Sequence, residues 1–105
     1  MSGITVRAHI RLLPTSESGR TLPFRGSFRP NHNFGTADDH EMDIGFIELA
    51  ENETLAPGEE TERRLTFWER PGLSEVLTPG REWRIQEGSK LIGIGTVLKI
   101  LHASD

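Results

Sequence analysis

The chain has 105 residues, with 12 Lys+Arg, 16 Asp+Glu and no cysteine. That length suits one domain spanning 1–105, and zero cysteines exclude a disulfide framework and a thiolate-built metal site. A net charge of -4 excludes a nucleic-acid binder that works by bulk positive charge, though a local basic patch stays open.

In chain order the pattern is that of β-strands. Val6 to Leu12 alternates apolar and polar residues, so Val6, Ala8, Ile10 and Leu12 face a core while Arg7, His9 and Arg11 face out. Pro14 ends that run, and 15–22 reads as a polar loop. A second strand is expected over 27–34, with Pro30 at an edge or bulge because it has no N–H to donate. The polar, acidic stretch 35–42 reads as a long excursion. Strands follow at 43–49, 62–68, 84–86 and 90–101, the last bent by Gly93 and Gly95. Residues 73–77 could form one helical turn at most. Three Pro-Gly pairs, Pro57-Gly58, Pro71-Gly72 and Pro79-Gly80, mark turns, since proline sets φ at the first central position and glycine accepts φ > 0 at the next. Short strands punctuated this way predict a sandwich or a small closed barrel.

Charge is unevenly distributed. Residues 36–62 hold ten acids and no base, whereas 1–35 hold five arginines against Glu17 alone. The two halves are expected to pair across strands. No apolar run approaches the ~20 residues that span a bilayer. Residues 1–11 show no signal-peptide core before the first arginines, so a cytoplasmic location is expected.

Five motifs then fall in order: Gly19-Arg20-Thr21-Leu22-Pro23-Phe24, Arg29-Pro30, Ile47-Glu48-Leu49, Pro57-Gly58-Glu59, and Glu87-Gly88 followed by Gly93-Ile94-Gly95-Thr96-Val97. The chain resembles the third, C-terminal domain of translation elongation factor Tu and its eukaryotic and archaeal counterparts. The resemblance implies an all-β fold, a six-stranded antiparallel Greek-key β-barrel. The GTPase domain of that family has no counterpart here: no G-x-x-x-x-G-K-[ST] loop occurs, so no GTP binding by this chain is expected.

By position, the resemblance carries RNA-backbone contacts onto Asn31, Glu87, Gly88 and Lys90. Departures are visible as well. Asn31 stands where glutamine is usual, Ile44 stands near a threonine position, and 36–43 gains acids that would repel phosphate. Arg20, Arg29 and Trp68 are the candidate partner-binding residues; the two arginines could equally brace turns by bonding carbonyls or an acid such as Glu48. Trp68 and Trp83 could fill the barrel or cap its end. An exposed Trp68 would mark an interaction hot spot. Gly93 and Gly95 read as a barrel bend and not as a phosphate loop. His9, His32, His40 and His102 lack the pair spacing of a metal site, and His40 among acids reads as a solvated loop, so no metal and no cofactor are expected. No nucleophile–base pair is suggested by spacing, so catalysis is not expected. The expected function is that of a non-catalytic binding module, mediating protein–protein interaction and possible self-association, or alternatively a translation accessory factor that binds a tRNA or RNA backbone.

Overall fold

The computed structural model describes residues 3–103; the side chains of His102 and Ala103 lie outside the described set. Six strands close into an antiparallel barrel: β1 (Gly3–Leu12), β3 (Asn31–Asn33), β4 (Asp43–Ile47), β6 (Glu60–Trp68), β7 (Glu82–Glu87) and β8 (Lys90–Ala103). Around the barrel the order is β1-β6-β4-β3-β7-β8, and β8 closes on β1. Chain neighbours β3–β4 and β7–β8 are also barrel neighbours, whereas the chain crosses over between β1 and β3, as Greek-key winding requires. Closure removes the free sheet edges that would otherwise pair with other chains.

The alternation read in β1 sets its inner face: Ile4, Val6, Ala8 and Ile10 are buried, and Arg7, His9 and Arg11 point outward. Leu65 and Phe67 of β6, Ile47 of β4, Trp83 and Ile85 of β7, and Ile92 and Val97 of β8 complete the core.

Three features differ from the sequence reading. The strand expected over 27–34 is broken. Phe28 pairs singly with Ile47, and regular pairing resumes only at Asn31, because Pro30 between them cannot donate to a ladder. The loop expected over 15–22 contains a helical turn, α1 (Thr15–Ser18), closed by Gly19 at φ 76, whose N–H bonds the Thr15 carbonyl. A small ribbon pairs β2 (Phe24–Arg25) with β5 (Thr54–Leu55) beside the barrel. The helical turn expected near 73–77 is present as α2 (Leu73–Val76).

Charge segregation resolves only in part into the expected pairing of 1–35 with 36–62: Arg7–Glu62 and His9–Glu60 join the two stretches, and the other paired acids meet bases in 63–70. Among the described residues, five of the six ion pairs join an acid of 36–62 to a base outside it: Arg7–Glu62, His9–Glu60, Arg63–Glu53, Arg64–Glu48 and Arg70–Asp43. Arg20–Glu87 is the sixth. Among the described residues, no helix is long and apolar enough to cross a membrane.

Candidate functional site

The interior is filled with rings. His32 lies edge-on to Phe67 at 5.0 Å, Phe34 stacks on Trp83 at 5.3 Å, and Phe67 meets Trp83 edge-on at 5.8 Å. Trp83 Nε1–H donates to His32 Nδ1 at 3.0 Å, so the opposite ring nitrogen, Nε2, carries the proton and donates to the Gly45 carbonyl at 3.1 Å. Burial holds His32 down to a pKa of about 4, against the raising effects of the Gly45 carbonyl and of Asp43. Gly95 faces Trp83 across β7–β8 and supplies the space its indole occupies. Gly93 and Gly95 are therefore strand glycines under close contact, as expected. These ring contacts pack the interior around Trp83.

One candidate site gathers at the β7–β8 hairpin. Asn31 pairs with Gln86 across β3–β7, next to Glu87, and Gly88 makes the hairpin turn at φ 61. Lys90 Nζ lies against Gly19. The four residues assigned by resemblance to RNA contact are thus neighbours. Arg20 joins them, because its Nη1 donates to Glu87 Oε2 at 2.7 Å and its guanidinium lies 3.7 Å over the Phe24 ring. Glu87, and not Glu48, is the acid that Arg20 meets; Glu48 lies 3.8 Å from Arg64 instead. The Arg20 and Glu87 charges consequently offset each other inside the chain.

A second candidate site lies on the outer face of β4 and β6. Inward Asp43, Gly45 and Ile47 leave Ile44 and Phe46 outward at 40% and 37% exposure. Inward Leu65 and Phe67 leave Trp68 outward at 37%. Phe46 pairs with Thr66, and continuing that register by one residue sets Ile44 opposite Trp68. The Arg29 guanidinium lies 5.5 Å from the Phe46 ring. Two of the three residues singled out for partner binding, Arg29 and Trp68, therefore flank one apolar face, while Arg20 stands apart. Trp83 fills the barrel, and Trp68 does not. Ile44 and Phe46 were missed in the sequence. Their alternation with Asp43, Gly45 and Ile47 carried the signal, but a small inward glycine and an inward aspartate hid which face was which.

The inward Asp43 is explained by Arg70. Arg70 Nε and Nη2 bond both Asp43 oxygens at 2.8 and 2.9 Å, and this bidentate grip raises the guanidinium pKa. The pair ties the 34–42 excursion to the segment after β6. Between them lies a cavity of about 800 Å³ lined by Asp38, Asp39, His40, Glu41, Met42 and Arg70.

No family model matches the chain. A curated relative, elongation factor Tu 2 of Streptomyces avermitilis, is 31% identical over 93 residues, covering 89% of this chain. The chain spans 22% of that relative's length, and the likeness covers its C-terminal barrel part and not its GTPase domain. Sequence and architecture together show a β-barrel like the C-terminal domain of elongation factor Tu.

Proposed function

We propose that the chain is a non-catalytic docking module whose outer β4–β6 face binds a protein partner. The observation that carries this reading is the exposure of Ile44, Phe46 and Trp68 on the outer faces of the paired strands β4 and β6, with Arg29 beside Phe46. Aromatic and arginine side chains concentrate binding energy at interfaces, and the barrel's opposite, inner face is closed by packing. Affinity capture from native extract tests it. Phe46→Asp is expected to lose the captured protein, with binding weakened about 30-fold for a loss of about 2 kcal/mol. Leu22→Asp, which alters the most exposed apolar residue elsewhere, is expected to retain it. Equal capture by both variants contradicts the reading.

The gathering of Asn31, Glu87, Gly88 and Lys90 at one hairpin supports a second reading, RNA-backbone binding. Under it, tRNA affinity falls steeply with salt and Lys90→Glu reduces it further. An unshifted tRNA band in a low-salt gel removes that reading.

A further inference from the structure

The docking reading leaves the chemistry of the partner open, and the outer face of β1, β6 and β8 supplies it. Register sets Lys99 of β8 opposite Arg7 of β1, and Arg7 opposite Arg64 of β6. The row continues to Glu48, the residue after β4, whose N–H donates to the Arg64 carbonyl at 3.0 Å. Along the row the sequence of charges is therefore plus, plus, plus, minus. Like charges directly opposite each other on a sheet are destabilising. Their neighbours offset this poorly: Glu62 lies 4.0 Å from Arg7 and Glu48 3.8 Å from Arg64, and all four side chains are about half exposed. Such pairs contribute little. A shallow hollow of about 410 Å³ opens beside the row, lined in part by Arg7, Arg63, Arg64, Glu48 and Glu62. The next row toward the Trp68 end carries Thr5, Thr66 and Phe46, so the apolar face borders the cations directly.

We infer that the Lys99–Arg7–Arg64 row binds carboxylates of a partner helix, and that the same helix rests its apolar stripe on Phe46, Ile44 and Trp68. This rests on the protein-docking reading and specifies its partner. The spacing selects a helix. Adjacent strands lie about 4.8 Å apart, so the three cations span about 10 Å. Acids one turn apart on a helix lie about 5–6 Å apart, whereas acids on one face of an extended strand lie about 7 Å apart. Glu48 at the fourth place fixes the register: the helix carries a base beyond its three acids, at the Glu48 end of the row. A phosphate chain would instead bring negative charge onto Glu48 and Glu62, and it would leave the apolar face uncovered. The apolar centre beside a charged border is the ordinary anatomy of a protein interface.

The test uses a labelled synthetic helix of about 18 residues with three glutamates at one-turn intervals, then a lysine, and leucines on the adjacent stripe. Its anisotropy is read against this protein, alongside a copy of the peptide with the charges reversed. The acidic peptide is expected to bind at least about tenfold tighter than the reversed one, and less tightly as salt rises. In Arg7→Glu/Arg64→Glu protein the preference is expected to invert. The milder Arg7→Gln/Arg64→Gln protein, checked for an unchanged melting curve, is expected to abolish the difference. Equal binding of the two peptides, or no binding of the acidic one, overturns the inference. Displacement by a single-stranded RNA that binds tighter, and loses binding with Arg7 and Arg64, also overturns it. A native partner that Phe46→Asp loses but the Arg7 and Arg64 variants keep would uphold the docking reading and refute this one alone.

Discussion

Trp83→Ala is expected to destabilise the barrel by about 4 kcal/mol, a large share of the 5–15 kcal/mol that holds such a domain together. The indole is 2% exposed, meets Phe34, Phe67 and His32, and spends its N–H on His32 Nδ1. Removing it opens a cavity and also leaves a buried acceptor unpaired. The converse change is expected at Gly95. A Cβ there would overlap the Trp83 ring, so Gly95→Ala costs about 1–3 kcal/mol through overpacking. The two effects are coupled through the same space. In a Trp83→Leu background, Gly95→Ala is expected to be nearly neutral, because the ring it strikes is gone. Urea titrations of the four proteins measure the coupling. Simple additivity would show that Gly95 is there for another reason.

The second large effect is on acid stability. In the unfolded chain His32 takes up a proton near pH 6.5, but in the barrel burial defers that to about pH 4. Between those values the unfolded state binds the extra proton, so stability falls as the pH drops. From pH 7 to below pH 4 the loss from this one residue amounts to about 3 kcal/mol. Protonation would also place a hydrogen on Nδ1, which accepts from Trp83, and break the ring network. His32→Gln keeps a polar side chain and does not titrate. Its stability, although lower at neutral pH, is expected to lack most of the decline between pH 6.5 and 4. Denaturant midpoints across that range, for both proteins, decide the matter. Parallel declines would assign acid lability to carboxylates instead.

Much of the architecture is legible in the sequence because period-two alternation in β1 and β6 needs only local information. Pro30 shows where that stops. An isolated proline announces an interruption, but whether the strand bulges or breaks depends on the partner strands. α1 went unread because a single turn has no hydrophobic period, although Gly19 after Thr15-Ser16-Glu17-Ser18 is a stop signal of the right kind. The β2–β5 ribbon consists of two residue pairs and leaves no pattern. The site was less legible still. That Arg20 meets Glu87, 67 residues away, follows from closure of β8 on β1 and from the fold of the 19–25 segment. Trp68 could be singled out as a large residue at a strand end. The row Lys99–Arg7–Arg64–Glu48 exists only through register, which single-strand patterns do not encode across crossover connections.

Hydrogen–deuterium exchange on the chain, alone and saturated with its captured partner, tests the docking account most directly. Added protection is expected in 43–47 and 64–68, with 87–90 unchanged. Protection confined to the hairpin at 87–90 and to 19–20, with the β4–β6 face exchanging as before, would contradict it.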